Sequence, residues 1–375
     1  MKKKIYYLDV LRALATIAVV GTHVSGMYMY TWSMNTFNAQ FICATKSIER
    51  FGVSLFVMIS GALLLSSSVD IQSIYKKRIP KLIRIYVLWS VFYALKAALF
   101  SAVKHHSPEP PGVIIREMIT GHYHLWFLPM IIGLYIILPV LKKITEDKKI
   151  TEYYLLISFI STGVIPFFLL ALKAADQLLG TETFYSPAFA LWDNVYFNFA
   201  VGFSFYYVFG YYLHTYDIGK KKTNLLCVLG ILGFVSSIVL NIAYSRFKNE
   251  PDESFISNTL VTVMFEVVGI FIFVRNNAKE PGTPDFFSKL VKEISRCSLG
   301  IYLIHPFVLE TICKLFDLYN ENISPLITFP ITYLITLVFS YAFSYLLHKI
   351  PYARNILYSL CIFPADNPAI SSLLI

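Results

Sequence analysis

The stretch LRALATIAVVGTHV, residues Leu11 to Val24, is typical of a membrane helix, yet it carries two ionisable side chains. Arg12 stands near its start and His23 near its end. Their spacing of eleven residues equals three helical turns plus about 20°, so both side chains point the same way, about 16 Å apart along the axis. Ionisable groups at membrane depth are costly and usually face a protein interior or an aqueous cavity. The stretch therefore predicts a polar face inside a helical bundle.

The composition of the chain extends this prediction to a polytopic membrane protein. Of its 375 residues, 56% are hydrophobic and 15% are charged, whereas a typical soluble domain has about 25% charged residues. Several apolar runs approach the roughly 20 residues that cross a hydrocarbon core. The predicted fold class is all-α and integral to the membrane, with about ten transmembrane helices. The predicted spans are Ile5–Tyr28, Ser47–Leu65, Leu82–Val103, Leu125–Leu141, Tyr153–Leu172, Tyr196–His214, Asn224–Tyr244, Ser257–Val274, Ser298–Phe316 and Ile327–Leu347.

Short basic connectors predict the orientation. Lys2–Lys4 precede the first span, and alternate connectors from there onward are basic, at Lys76–Arg84, Lys142–Lys149, Lys220–Lys222 and Arg275–Arg296. By the positive-inside rule these connectors and both termini lie in the cytoplasm. The same placement explains the net charge of +9 without a nucleic-acid partner. We expect one transmembrane domain over residues 1–350, whose first span is retained, and a short cytoplasmic tail over residues 351–375.

Further polar residues fall at the predicted outer end of the spans. GHYHLWFLP places His122 and His124 at the outer mouth of the fourth span, at the same end as His23. SRCSLGIYLIHP places His305 inside the ninth span, where the following proline frees a backbone carbonyl that a polar neighbour could use. His305 fits a structural hydrogen bond and a functional site equally well. Glu49 opens the second span on the outer side.

The basic segment KKRIPKLIR, Lys76 to Arg84, permits two interpretations. Membrane topology alone explains it. Alternatively, Arg78 and Arg84 flank a helix start beside Pro80, where they could bind phosphates. Arg12 likewise has a plain alternative, in which it reaches lipid phosphates and pairs with a neighbouring aspartate.

The sequence lacks the motifs of several other classes of enzyme and of metal sites. The five cysteines are scattered without metal-ligand or disulfide spacing, so no metal site is expected. The chain has no Walker A loop, HExxH or GxSxG, which disfavours ATP hydrolysis, zinc proteolysis and a hydrolase-type serine. Glu266 lies inside the eighth span, where a buried carboxylate needs a partner that the sequence does not identify.

Five of these stretches together resemble the membrane acyltransferase-3 family, bacterial integral-membrane O-acyltransferases that modify cell-envelope glycans. They are LDVLRALATIAVVGTH, FGVSLFVMISGALL, KRIPKLIRIY, HLWFLPMIIGLYIILPVL and SRCSLGIYLIHP, in that order along the chain. The chain is similar to the stand-alone type, without the SGNH hydrolase-like domain that some relatives carry. The family's Arg-x10-His motif falls on Arg12 and His23, and its basic motif falls on Arg78 and Arg84.

The resemblance implies that an acetyl or short acyl group moves from cytoplasmic acyl-CoA to a hydroxyl of a cell-envelope glycan, in a bacterial cytoplasmic membrane. The implied partners are acetyl-CoA as co-substrate, the glycan or polysaccharide acceptor and the lipid bilayer, with no metal. A neutral imidazole suits the base that such a transfer needs. The expected catalytic residues are His23, Arg12, His124 and Glu49. The expected CoA-binding residues are Arg78, Arg84, Arg12 and His305.

Two other functions stay open at this stage. A transporter or exporter of a polysaccharide, glycan precursor or amino acid would also use membrane-embedded Arg, His and Glu residues. Against it, the two halves of the chain show no matched pair of spans broken by Gly or Pro. A non-catalytic scaffold would leave the shared face of Arg12 and His23 unexplained.

Overall fold

A computed structural model describes residues 5–68, 70–105, 109–195, 202–318 and 320–350, and within these ranges the regular structure is entirely helical. The α-helices are α1 (Tyr6–Tyr28), α2 (Phe37–Ile48), α3 (Gly52–Leu64), α4 (Ile71–Ser73), α5 (Ile79–His105), α6 (Pro111–Thr120), α7 (Phe127–Ile136), α8 (Leu138–Thr145), α9 (Lys148–Phe159), α10 (Ile165–Leu179), α11 (Tyr185–Asp193), α12 (Phe203–Thr215), α13 (Gly219–Lys248), α14 (Val261–Asn277), α15 (Phe286–Phe316) and α16 (Pro325–Lys349). Wider π-helical turns at Ile74–Arg78 and Ile160–Val164 join α4 to α5 and α9 to α10.

The described residues contain eight helical stretches long and apolar enough to cross a membrane. They are Tyr6–Tyr28, Phe37–Leu64, Ile71–Val103, Lys148–Leu179, Gly219–Lys248, Ser254–Asn277, Phe286–Phe316 and Pro325–Lys349. Helices α7 and α8 together form a ninth candidate, bent by 59° at their junction. The chain is therefore an all-helical, multi-pass membrane protein, as its composition predicts.

The predicted count of ten spans goes beyond this finding. The sixth predicted span, Tyr196–His214, has its first six residues outside the described part of the chain. Its remainder corresponds to α12, whose 13 residues are too few to cross a hydrocarbon core alone. Ten spans and cytoplasmic termini stay predictions, and the tail at 351–375 lies outside the described residues.

Three predicted boundaries differ from the structure for identifiable reasons. The second span begins ten residues before Ser47, at Phe37, because Thr36 caps α2 by accepting a hydrogen bond from the backbone of Ala39. The fourth span bends where Pro139 starts α8, since proline cannot donate the hydrogen bond that would continue α7. The ninth span extends back to Asp285, whose carboxylate caps α15.

Helix α1 is central to the bundle, since it packs against α2, α3, α15 and α16. Its contacts with α15 occur at two levels. Arg12 lies beside Ser295, and eleven residues further on His23 lies beside His305. Because both residue numbers rise together, the two helices run parallel. If successive spans alternate in direction, the predicted first and ninth spans cross the membrane the same way. The parallel packing of α1 and α15 is consistent with that order.

Candidate active site between helices α1, α5 and α15

Arg12 is buried at the start of α1, with 5% of its surface exposed. Its Nη1 donates to the Ser295 hydroxyl at 3.2 Å and lies 3.8 Å from Asp9 Oδ1. Ser295 in turn donates to the same Asp9 oxygen at 2.7 Å. The expected pairing of Arg12 with an aspartate is therefore present, but the side chain points into the bundle and does not reach lipid phosphates.

Arg12 and Arg78 line one cavity of about 160 Å³. The other polar lining residues are Ser60, Tyr135, Ser298 and Tyr302. Its apolar lining residues are Val19, Val53, Phe56, Ile59, Leu63, Leu82, Phe127, Leu128, Ile131 and Leu299. The cavity therefore combines two cations with a largely apolar wall, which suits a ligand that is anionic at one end and flexible and apolar beyond it.

The two arginines of the basic segment have different surroundings. Arg78 faces the cavity, near the hydroxyls of Tyr135 and Tyr207. Arg84 is exposed, and its Nε donates to the carbonyl of Pro80 at 3.3 Å. Six residues turn an α-helix by about 600°, so the two side chains lie on different faces. The structure brings Arg78 together with Arg12, and it leaves Arg84 outside the cavity.

Four imidazoles gather at the other end of α1, and we call His23, His122, His124 and His305 the histidine cluster. The ring centroid of His305 lies 5.0 Å from that of His23 and 5.5 Å from that of His124. Nδ1 of His122 lies 2.9 Å from Nδ1 of His124. Burial, and then the neighbouring His305 and His122, keep the pKa of the loop residue His124 well below its ordinary value. His124 is therefore neutral at pH 7 and able to accept a proton.

His305 is fully buried and held in one tautomer by its own helix. Its Nδ1 donates to the carbonyls of Tyr302 at 2.8 Å and Ile301 at 3.2 Å. Pro306 has no N–H to offer the carbonyl four residues earlier, which is that of Tyr302. The freed carbonyl expected from the sequence thus binds His305 itself. Nε2 of His305 is left with its lone pair, buried and without a hydrogen bond among the described residues.

Tyr302 connects the cavity to the histidine cluster. Its side chain lines the cavity, and its hydroxyl donates to the carbonyl of His124 at 2.6 Å. Its ring centroid lies 5.4 Å from that of His124. One wall of the cavity that begins at the arginines therefore ends against the histidines.

Two charged residues beside the cluster are not among the site residues predicted from the sequence. Glu310 of α15 forms an ion pair with Lys96 of α5, and it accepts a hydrogen bond from Nε2 of His122 at 3.1 Å. The ring of Tyr93 stacks on His122 with centroids 4.2 Å apart. A usable signal was present, because Lys96 and Glu310 are charges of opposite sign inside two predicted spans, and such residues usually pair.

The two other acidic candidates are not brought to the cluster. Glu49 lies against Gly21 and accepts a hydrogen bond from Ser25 at 3.2 Å. Gly21 and His23 are two residues apart, which is a rotation of about 200° on a helix. Glu49 therefore contacts the face of α1 opposite His23. Glu266 is buried with 1% exposure, packs against Gly233 of α13, and its oxygens have no hydrogen-bond partner within the described ranges.

No group of three or more His, Cys, Asp or Glu side chains is arranged to hold a metal ion in the part of the chain that the structure describes. The histidine cluster is instead an array of tilted and edge-to-face rings, with its hydrogen bonds directed to backbone carbonyls, another imidazole and a carboxylate. Such an array can accept, hold and pass protons.

The family assignment follows from comparison with known sequences. The profile of the acyltransferase domain of the acyltransferase-3 family matches residues 5–348. The chain belongs to the acyltransferase-3 family. The match contains both ends of the site, the arginine-lined cavity and the histidine cluster.

Curated relatives of the chain carry a different kind of name. The chain is 22% identical over 328 residues to a probable poly-beta-1,6-N-acetyl-D-glucosamine export protein of Staphylococcus aureus strain MRSA252, covering 86% of this chain and 87% of that one. The protein of the same name from strain MSSA476 is 22% identical over 282 residues, 74% of each chain. No solved structure matches the chain.

Proposed function

We propose that this protein is a membrane O-acyltransferase that moves an acetyl or short acyl group from cytoplasmic acyl-CoA to a hydroxyl of a cell-envelope glycan, in the cytoplasmic membrane of a bacterium. The observation that carries the proposal is the single cavity that has Arg12 and Arg78 in its wall and Tyr302, against the histidine cluster, at its other end. Membership of the acyltransferase-3 family supports the acyl transfer itself.

The cavity suits the two parts of an acyl-CoA. CoA carries several phosphate charges, and guanidinium groups bind phosphate through charge-assisted, often bidentate hydrogen bonds. Beyond the phosphates, the pantetheine arm is long, flexible and uncharged. It can therefore pack against the apolar wall formed by residues such as Phe56 and Leu299. With phosphates held at Arg78, the thioester would extend toward Tyr302. Arg12 would line the path of the arm.

The histidine cluster suits the chemical step. A sugar hydroxyl attacks the thioester carbonyl, its proton passes to a neutral imidazole, and the CoA thiolate leaves and is then protonated. His23 is one of two half-buried members of the cluster, and it lies on the helix face that Arg12 shares. We therefore expect the acceptor hydroxyl and the thioester to meet beside His23.

The relatives' names suggest which acceptor to test first. Each names a polymer of β-1,6-linked N-acetylglucosamine. Such a polymer offers free sugar hydroxyls for acylation, so it is the first acceptor class that we propose. Acetyl is the first acyl group to test.

Polysaccharide export is the second candidate, and the same relatives' names favour it. An exporter would move the polymer across a vesicle membrane without acetyl-CoA. An acyltransferase would consume acetyl-CoA. A polymer added on one side of the vesicle membrane would stay on that side.

The deciding experiment is a thiol-release assay on the purified protein in lipid nanodiscs, with acetyl-CoA and with or without β-1,6-linked N-acetylglucosamine oligomers. We expect acceptor-dependent release of CoA. His23→Ala should reduce the rate about 100-fold, because it removes the ring beside which the acceptor hydroxyl and the thioester are positioned. His348→Ala, on α16 and outside the cluster, is the matched histidine control and should keep its activity.

Two outcomes would change the proposal. Equal thiol release by wild type and His23→Ala would keep the enzyme and remove His23 from the chemical step. A well-folded protein that neither releases thiol with any envelope glycan nor binds acetyl-CoA would contradict the acyltransferase. Acetyl-CoA-independent transport of the oligomer into vesicles would then support export.

A further inference from the structure

One hydrogen-bonded path leads from the histidine cluster to a carboxylate within the described residues. It runs from His124 through His122 to Glu310. The path is built from a loop and two helices, since the histidines precede α7, Glu310 lies on α15 and its second partner Lys96 lies on α5. The function proposed above uses the histidine cluster and assigns no role to Glu310 or Lys96.

The contacts suit one arrangement of protons along this path. Nε2 of His122 lies 3.1 Å from the Glu310 carboxylate, so this nitrogen carries a proton and donates it. With that one proton on its ring, His122 accepts at Nδ1, and the proton in the 2.9 Å contact comes from Nδ1 of His124. That leaves Nε2 of His124 as a lone pair. This atom is buried, has no hydrogen bond among the described residues, and belongs to a side chain that is 1% exposed.

One backbone group lies close to the His124 ring. The carbonyl of Leu303 accepts the Tyr93 hydroxyl at 2.9 Å, and its second lone pair favours the protonated form of His124. Tyr93 also stacks on His122 and so holds the plane of that ring. The nitrogens of His124 and His305 that lack a hydrogen bond among the described residues belong to two rings in edge-to-face contact, with centroids 5.5 Å apart.

We infer that Glu310 and His122 form a proton relay behind His124, and that His124 is the member of the cluster that takes the proton from the acceptor hydroxyl. The inference rests on the proposed acyltransferase function. His124 would touch the acceptor, whereas His122 and Glu310 act through it and are positioning residues.

The relay balances over one turnover. As the acceptor oxygen forms its bond to the acyl carbon, its O–H bond breaks and the proton binds Nε2 of His124. The Nδ1 proton of His124 moves to Nδ1 of His122, so the positive charge rests on His122 beside Glu310. The C–S bond breaks, and the thiolate leaves with the electron pair. It regains a proton by the reverse path, which restores the neutral relay and yields CoA thiol.

The charge distribution explains why this imidazole is favoured over the others. A base that accepts a proton inside a membrane bundle must carry a positive charge in a medium of low polarity, which is costly without a nearby anion. His305 donates only to backbone carbonyls, and Glu49 lies on the far side of α1 from His23. In the described structure, the compensating carboxylate reaches the cluster through His122.

Lys96 sets the strength of this compensation. It shares the Glu310 carboxylate with His122 and also lies 5.5 Å from the ring centroid of Phe307. The ammonium takes part of the carboxylate's attraction for an imidazolium. The titratable groups around the two histidines of the relay are Tyr123 on their own loop, His23 of α1, Tyr93 of α5, and Tyr302, His305 and Glu310 of α15, with Lys96 of α5 behind Glu310. Opposite shifts are therefore expected when the two partners of the ion pair are removed in turn.

The first test needs no turnover. NMR of isotope-labelled histidine in nanodisc-embedded protein, assigned with a His122→Asn variant, follows the pH midpoint at which the His122–His124 pair becomes cationic. Glu310→Gln should lower this midpoint by about one pH unit, and Lys96→Gln should raise it by about half a unit, in the range of shifts from a close charge. Glu293→Gln, an ion-paired glutamate about 25 Å away along the same helix, should leave it unchanged.

The second test uses acetyl transfer. Glu310→Gln should lower kcat at least about tenfold, while the Kd for acetyl-CoA stays within about twofold, and Glu310→Asp should recover part of the loss. Equal midpoints in wild type, Glu310→Gln and Lys96→Gln would overturn the relay, whatever the activity. A wild type with no acyltransfer but with opposite midpoint shifts would contradict the proposed function and leave the relay in place. If Glu310→Gln does not fold, the sign of the Lys96→Gln shift decides alone.

Discussion

Arg12 and Arg78 line the same cavity, although one belongs to the first helix of the chain and the other to a π-helical turn before α5. Arg84, in the same basic segment as Arg78, is exposed on another face. Membrane topology alone would explain this basic segment, but it would not explain why one of its arginines lines the cavity. The pair Arg78 and Arg84 offers a matched comparison of charge inside and outside the cavity.

Arg78→Ala should weaken acetyl-CoA binding about 10- to 100-fold, because it removes charge-assisted hydrogen bonds worth about 1.5–3 kcal/mol. Arg84→Ala removes the same charge from the exposed face and should change the Kd less than about threefold. Isothermal titration of the nanodisc-embedded protein measures both. Equal weakening in the two variants would indicate general electrostatic attraction at the cytoplasmic surface, and normal binding in both would remove the cluster from the site.

The network of Asp9, Arg12 and Ser295 should separate folding from binding. Arg12→Gln leaves a buried carboxylate without its cation, and breaking such a pair costs about 3–5 kcal/mol. The double variant Asp9→Asn with Arg12→Gln removes both charges and should regain most of the unfolding temperature, measured by tryptophan fluorescence on heating. Both variants should bind acetyl-CoA weakly. Full binding by the double variant would show that Arg12 acts only in packing.

Much of the site was accessible from the sequence because helical spacing is regular. The eleven residues between Arg12 and His23 predicted a shared face, and both residues do contact α15. The proline after His305 predicted a free carbonyl, and His305 binds one. These inferences needed only the geometry of one helix.

The rest depends on packing between helices, which single-helix geometry does not contain. The sequence did not show that Lys96 and Glu310 meet, since they lie on α5 and α15 and more than two hundred residues apart along the chain. It placed Glu49 at the outer end of the second span, but the break between α2 and α3 turns that side chain toward Gly21. The bend between α7 and α8 likewise depends on more than Pro139, because the neighbouring helices must pack around it.

The close contact of α3 with α12 gives a prediction about stability. A Cβ added at Gly61 would collide with the backbone carbonyl of Tyr207, and one at Gly210 would collide with that of Met58. Small residues let membrane helices approach this closely. Gly61→Ala and Gly210→Ala should each destabilise the protein by about 1–3 kcal/mol, the usual cost of overpacking, seen as a lower unfolding temperature.

Gly133 is the matched control for these two positions. It lies within α7, and an added Cβ would meet nothing within 4 Å. Gly133→Ala should leave the unfolding temperature unchanged or raise it slightly, because alanine favours the helix more than glycine does. A loss of stability in Gly133→Ala equal to that in Gly61→Ala would mean that the α3–α12 contact is not the cause.

The N-terminal cap of α15 predicts a pH dependence. Asp285 accepts the backbone N–H of Ser288 at 2.7 Å, which holds the pKa of this exposed carboxyl below its ordinary value. Because the pKa is lower in the folded state, its stabilising effect is complete above the unfolded value of about 3.9 and is lost as the pH falls through the folded value. Asp285→Asn keeps a capping side chain without the charge. Wild type should therefore unfold at a higher temperature than Asp285→Asn at pH 7, and the difference should shrink as the pH falls toward about 3. A difference that is constant across this range, measured by fluorescence on heating in nanodiscs, would show that ionised Asp285 does not stabilise the start of α15.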